Sequence, residues 1–496
     1  MKETLSPTGT LSRRRLFRLA AAAGGTATVA MILGACGETE VVTKEVIKEV
    51  PVETVVTKEV IKEVAVEKVV TQEVIREVPV QQVITQRVVE VVMVEREILD
   101  ISFWDFETRP LGVAAQDAWF ARAGISADVR MNREVVPFRE TEPKILAAKA
   151  AGTLPDMVWS QPDATWSWSG QEIVAPATDA LDLMGRDIFG ENDLNATAVD
   201  GVNYGVPQFL WPHILYYRSD LYAQHSLPAP DSWDNILANA QALNNPPDIY
   251  GYFTYLLDAH PKMAWSLMPA HDAYVFDENG NNSINSEGTI AALKLAKALD
   301  EVSAPGAAAR HEGHGRTEFI RGATAHMVSS TSFSGTFLAD KPEMLEQVAA
   351  VAQPSVAGTG AGLAGMNILN ITTQTDYPDR MAEFFAALFD RPNYQEWFQS
   401  TVIGWAPTHV DVQNSDEYWG HPRIAPVAHI IRAGVDASQM AWVGGSKYGS
   451  KGSGLLGTVT ARNIVKDMFI MVFDGESPED AAAWAEAEVQ KVIDEN

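Results

Sequence analysis

The stretch "VDGVNYGVPQFLWPHILYYRSDLYAQHSLPAPDSWDNILANAQAL", residues 199–243, decides how this 496-residue chain is organised. Asp200-Gly201 is a tight turn between two extended segments, because both residue types accept positive φ. "GVPQFLWPHILYYR" (205–218) is one long extended run, able to leave one sheet and enter another. "APDSWDNILANAQAL" (229–243) then starts a helix. Asp231 or Ser232 caps it, Trp233 and Ile236 face inward, and Asp234 sits on the first turn, where the helix dipole favours negative charge.

The residues before this stretch alternate between strand and helix. "ILDISFWDF" (98–106) reads as a strand running into aromatics, and "DAWFARAGISADVRM" (117–131) as a helix end followed by a second strand. "TEPKILAAKAAG" is an amphipathic helix stopped by Gly152, and Met157-Val158-Trp159 is the next strand. Strand–helix–strand at this spacing implies a parallel sheet whose ligands bind beyond the carboxyl ends of the strands. Those ends carry Trp104, Asp105 and Phe106, then Trp159, Ser160 and Gln161, with Trp166 and Trp168 close behind.

In order along the chain these segments resemble the extracellular solute-binding proteins of ABC importers, in particular the maltose-binding-like carbohydrate binders. The matching elements are the turn and strand Asp200-Gly201-Val202-Asn203-Tyr204-Gly205-Val206-Pro207, the crossover end Leu215-Tyr216-Tyr217-Arg218, and the helix start Pro230-Asp231-Ser232-Trp233-Asp234. Arg218 stands where the family has Asn. "FIRGATAHMVSSTS" (319–332) resembles a strand that ends near the ligand, with Ser329 and Ser330 at its tip. "GLAGMNILNI" (362–371) resembles the return crossover, and "GWAPTHVDV" (404–412) a late ligand loop.

The resemblance implies an α/β, two-lobed, type II periplasmic-binding-protein-like fold, each lobe a sheet flanked by helices and hinged by crossover strands. Residues 97–210 and 362–398 form lobe 1, and residues 211–361 and 399–496 lobe 2. It implies a binder rather than an enzyme, capturing a mono- or oligosaccharide in the interlobe cleft and delivering it to the permease subunits of an ABC transporter. It implies no cofactor and no metal, and a monomeric body. The same fold serves other solutes such as a polyamine, a peptide or a metal complex. A secreted carbohydrate-active enzyme, with two carboxylates such as Asp105 and Glu140, is the more distant alternative.

A sugar ring stacks its C–H face on indole, and its hydroxyls need short polar partners. The chain has 13 Trp. Trp104, Trp159, Trp166, Trp211, Trp265, Trp405 and Trp442 fall where this fold puts cleft loops. Asp105, Gln161, Asp272, Ser329 and Ser330 are the polar candidates. Trp119, Trp233 and Trp397 sit on helical patterns and are expected to pack. His311 and His314 lie in a Gly-rich segment with no third metal ligand placed by spacing, so that segment is expected to be an exposed loop.

The first 96 residues are of a different kind. Residues 1–35 combine Arg13, Arg14, Arg15 and Arg18 with a short Ala/Gly-rich apolar run, which fits an export signal and is short for a membrane span. Ser12-Arg13-Arg14-Arg15-Leu16-Phe17 resembles a twin-arginine signal. Leu33-Gly34-Ala35-Cys36 resembles a lipobox, making the single cysteine, Cys36, the site of lipidation and a bilayer anchor for an exported, extracytoplasmic protein. Residues 36–96 carry four copies of a 14-residue Val/Lys/Glu repeat, from "VVTKEVIKEVPVET" (41–54) onward. Neither a helical nor a strand period holds throughout, and Pro51 and Pro79 would interrupt a helix. The segment reads as a low-complexity spacer. These 96 residues are near neutral, so the rest carries essentially the whole net charge of −27. Such a body repels nucleic acid.

Overall fold

The computed structural model describes residues 40–49, 85–94 and 98–495, apart from 258–261, 357–364, 402 and 439–452. Two compact units result, with the division after Ile98. In the first unit, β1 (Glu40–Glu49) and β2 (Thr85–Val94) pair antiparallel, Glu40 opposite Val94 and Glu49 opposite Thr85. The described parts of the first and fourth repeats are thus extended. Pro51, Pro79 and Cys36 lie outside the described residues.

The second unit holds two sheets joined by the crossover. The larger contains β3 (Leu99–Asp105), β4 (Val129–Val135), β5 (Met157–Ser160), β8 (Val206–Leu210), β12 (Met366–Ile371) and β13 (Ala406–Pro407). Its order is β13-β8-β12-β5-β3-β4. β3 runs parallel to β4 and β5, and β12 is antiparallel to both β5 and β8. Hence β3, β5 and β8 all end at the same edge. The helix Pro110–Ala127 closes at Asp128, which adopts the left-handed conformation, and Phe138–Ala151 closes at Gly152 in the same way. The turn Asp200-Gly201, with φ of 50° and 81°, joins β6 (Ala198–Val199) to β7 (Val202–Asn203).

The smaller sheet is β9 (His213–Arg218) between β10 (His326–Ser330) and β11 (Val348–Val351). Both neighbours are antiparallel to β9, and His213 faces Ser330. Only Trp211-Pro212 separates β8 in one sheet from β9 in the other. Ser232 caps the helix Trp233–Leu243, accepting from Asn235 N at 3.2 Å, and Trp233 and Ile236 are buried. The segment expected to be a loop around His311 and His314 instead opens the helix Glu312–Ile320, where the two imidazoles stack with 3.7 Å between centroids. Glu312 makes the difference, since its side chain is drawn inward by Lys262 and Arg316 and anchors the first turn.

Each sheet has its own core. Around the larger sheet, Trp119 and Trp397 stack at 4.0 Å, with Phe103, Phe120, Phe385 and Tyr394 about them. Around the smaller, Tyr216, Tyr252, Phe253, Trp265, Phe319 and Phe333 pack with the helices Ile464–Phe473 and Pro478–Asp494. Ile403, Trp405, Val412, Tyr418 and Ile424 pack in the first core, although the sequence reading groups residues 399 onward with lobe 2. β13 hydrogen-bonds to β8, which draws this stretch to the larger sheet.

Candidate functional site

The carboxyl edge of the larger sheet and the crossover edge of the smaller one adjoin at Trp211-Pro212. From the first come Asp105-Phe106, Ser160-Gln161 and Trp211; from the second come His213 and Ser329–Ser332. Two groups of residues occupy this region.

The first is a cavity of about 780 Å³. One side is built by the end of β5 and the helices Phe138–Ala151 and Pro162–Gly170, which supply Thr141, Glu142, Trp159, Gln161, Asp163, Ser167 and Trp168. The other side is Leu257 and the end of the helix Ser453–Ala461 with its following turn, supplying Gly457, Thr458, Thr460, Arg462 and Asn463. Trp159 and Trp168 are buried walls at 3% and 2% exposure. The Trp168 indole donates to Glu142 Oε2 at 2.8 Å, and Phe106 packs on Trp159 at 4.1 Å between centroids. Burial pushes the Glu142 carboxyl above its usual range, the Trp168 hydrogen bond opposing this and the charge of Asp163 adding to it. Arg462 is paired with Glu495.

The second group surrounds Glu312. Its Oε1 accepts from Arg316 Nη2 at 2.6 Å, Ser329 Oγ at 2.6 Å and Ser330 N at 3.0 Å. Its Oε2 accepts from Lys262 Nζ at 3.1 Å. Burial alone would raise the Glu312 pKa. The charges of Arg316 and Lys262 and the neighbouring His213 outweigh burial and hold the carboxyl well below its usual range. His213 Nε2 is 3.5 Å from Oε2; burial lowers its pKa against the raising pull of Glu312. Arg316 also donates from Nε to Ser329 Oγ at 3.0 Å, and from Nη2 to Ser330 Oγ and Ser332 Oγ.

Of the residues singled out from sequence, Trp159 and Gln161 line the cavity. Trp211 lies at the crossover, its indole donating to Asn367 Oδ1 at 2.8 Å and Lys262 Nζ standing 5.6 Å from its ring centroid. Ser329 and Ser330 belong to the Glu312 group. Trp104 is buried in a small cluster with Val136, Ile145 and Trp168, under Lys144. Asp105 is 1% exposed and paired with Arg133 at 2.8 Å. Burial pushes its carboxyl up, against Arg133 and the amides of Glu107 and Phe106. Glu140 is exposed. Trp166 and Trp265 sit in the core of the smaller sheet, and Trp405 stacks on Phe209 at 3.8 Å in the core of the larger. Asp272 is exposed in a turn at φ 54°. Trp442 and Cys36 are outside the described residues.

Sequence reasoning did not single out Glu142, Asp163, Thr458, Arg462, Lys262, Glu312 or Arg316. The Glu312–Arg316 spacing of four was an available signal, obscured by the glycines and histidines around it. Residues 453–463 gave no signal, because nothing local tells which strand ends that helix will face. Among the described residues no group of three or more His, Cys, Asp or Glu is placed to hold a metal, and no helix is long and apolar enough to cross a membrane.

Two sheets, two cores and a cleft at their crossover define a two-lobed binding protein. A family model described as bacterial extracellular solute-binding protein matches residues 118–426. The chain belongs to this family. It is 23% identical over 310 residues to an arabinooligosaccharide-binding protein of Halalkalibacterium halodurans, a match covering 59% of this chain and 66%, just under two thirds, of that relative. Its structure is similar to the cyclic α-maltosyl-1,6-maltose binding protein of Arthrobacter globiformis, with a TM-score of 0.66 at 20% identity over 80% of this chain and 100% of the other. It is also similar to the GacH receptor of Streptomyces glaucescens, solved unliganded and with acarbose, with a TM-score of 0.66 at 17% identity over 80% and 98%. The fold is the two-lobed, type II periplasmic-binding-protein fold.

Proposed function

We propose that this chain captures an oligosaccharide outside the cytoplasm and delivers it to the permease of an ABC importer, without chemically changing it. The observation that carries this reading is the cavity between the helices Pro162–Gly170 and Ser453–Ala461. It offers indole walls in Trp159 and Trp168 and a rim of Gln161, Asp163, Thr458, Thr460 and Asn463. Indole suits the C–H face of a pyranose, and short polar groups suit its hydroxyls. The names of the three relatives, for an arabinooligosaccharide, a cyclic maltosyl-maltose and acarbose, support a saccharide of more than one ring.

In this reading lobe 1 comprises residues 98–210 and 366–427, and lobe 2 residues 211–356 and 428–495. This follows the two cores and puts the second boundary later than residue 398. Ligand contact from both lobes favours the closed form, and a solute that binds both forms equally shifts nothing. Residues 1–35 direct export, Cys36 is lipidated, and residues 41–96 are the spacer from the membrane to a monomeric body.

The test is titration of the purified full chain with mono- and oligosaccharides by tryptophan fluorescence and calorimetry, with product analysis of each mixture. A bound saccharide recovered intact is expected, with affinity at least about tenfold weaker in Trp159→Ala. Response to none of the saccharides overturns the carbohydrate reading, and turnover overturns the pure binder.

A further inference from the structure

The crossover edge of the smaller sheet carries a charge arrangement that a neutral sugar does not require. Glu312 lies at the bottom with its side chain 8% exposed, while Lys262 and Arg316 above it keep 26% and 25% exposure. Among the described residues Glu312 is the only carboxylate within ion-pair distance of either cation. Burial lowers the pKa of His213, so among the described residues Lys262 and Arg316 exceed the one carboxylate by a positive charge. An ion pair that only holds the fold needs one cation per carboxylate, and each further charge taken from water adds a desolvation cost. This surplus stands in a body whose net charge is strongly negative, so it does not follow from overall composition.

The surplus is next to an aromatic face. Lys262 Nζ lies 5.6 Å from the Trp211 ring centroid. The ring is held by its hydrogen bond to Asn367 and seated against Gly365, where any Cβ would overlap the indole. A fixed indole beside an ammonium, with a guanidinium on the same Glu312 carboxylate, suits a pyranose bearing a carboxylate. The ring stacks on Trp211 and the carboxylate takes charge-assisted hydrogen bonds from Lys262 and Arg316. Ser332, half-buried and bonded to Arg316, orients the guanidinium.

We propose that the ligand is an acidic saccharide, with a uronic-acid carboxylate bound at Lys262 and Arg316 beside Trp211. The proposal rests on the carbohydrate reading of the cleft and narrows its ligand class. The full chain is titrated with a panel of uronic-acid di- and trisaccharides, and with the same compounds after carboxyl reduction, which keeps the ring and removes the charge. For the panel member that binds, the acidic form is expected to bind at least about tenfold tighter than its reduced form. The ratio should shrink toward unity in Lys262→Gln and, for the unmodified chain, as salt rises from about 0.05 to about 0.5 M and screens the exposed charges. Reduced or neutral saccharides binding as tightly as acidic ones overturns the proposal while leaving the carbohydrate reading intact. Binding of no saccharide at all overturns both. The salt series and the reduced compounds use the unmodified chain, so a misfolded variant does not remove the test. Preference for a sugar phosphate over the uronate, measured alongside, also overturns it.

Discussion

His326, fully buried in β10, has both ring nitrogens engaged. Nδ1 is 2.6 Å from the carbonyl oxygen of Gly251, which can only accept, so Nδ1 carries the proton. Nε2, 2.6 Å from Tyr222 Oη, then accepts from the phenol. Burial pushes the imidazole down to about 4, the Gly251 carbonyl opposing. A folded pKa below the unfolded value of about 6.5 means the unfolded chain takes up more protons between those values. The contribution is therefore complete above pH 6.5 and is lost as the pH falls toward 4, on the order of 3 kcal/mol. Thermal midpoints of His326→Gln are expected to fall less steeply than those of the unmodified chain between pH 6.5 and 4. Parallel profiles would assign the acid sensitivity elsewhere. His326 was visible in "AHMVSS", but its state depends on Gly251 and Tyr222, which only the packing brings to it.

At the scale of elements, the crossovers depend on close backbone approach. Gly365 directly precedes β12, and its carbonyl accepts from Trp211 N at 2.7 Å while the Trp211 ring occupies the space of a missing Cβ. Gly365→Ala must move the ring or the strand, at about 1–3 kcal/mol. Lower thermal stability together with weaker saccharide binding is expected, since the proposed uronate site seats the sugar on this indole. A variant that loses stability but keeps full affinity would remove Trp211 from the site. The helix Pro162–Gly170 presents a related case. It follows β5 of the larger sheet, yet its Trp166 is buried in the core of the smaller one. This helix therefore ties the two cores together, and its Trp166 serves packing where the sequence reading assigned it to ligand.

For the whole molecule, the division after Ile98 separates a near-neutral repeat segment from an acidic binding body. High net charge of one sign favours solubility and disfavours association with nucleic acid. In the proposed reading this segment is a spacer that contributes reach and no ligand contact. Removal of residues 41–96 is expected to leave saccharide affinity within about twofold, because every residue of the cleft follows residue 98. Cys36→Ala is expected to move the protein from the membrane fraction to the soluble fraction at unchanged affinity. Loss of affinity in the deletion would give the repeats a binding role, and continued membrane association of Cys36→Ala would exclude the lipid anchor.

The order of strands and helices was legible from residue 98 onward, because alternation, Gly152, Ser232 and the Asp200-Gly201 turn act through neighbours in the chain. So was the crossover at residues 205–218, whose length and apolar character suit two sheets. The site was legible where a residue lies at the end of a strand, as Trp159 and Gln161 do at β5 and Ser329 and Ser330 at β10. Trp104 lies near the end of β3 too, but follows Phe103, and alternation sends the two rings to opposite faces, placing Trp104 in a small cluster of its own. Trp265 and Trp405 are as deeply buried as Trp159, but partners far along the chain seat them away from the cavity wall. The pairing of Glu312 with Lys262, and the meeting of residues 141–168 with 457–463, were decided by tertiary structure alone. Local physics sets each element, but a cleft is made of contacts between elements distant in sequence, and these form only when both sheets are packed around the crossover.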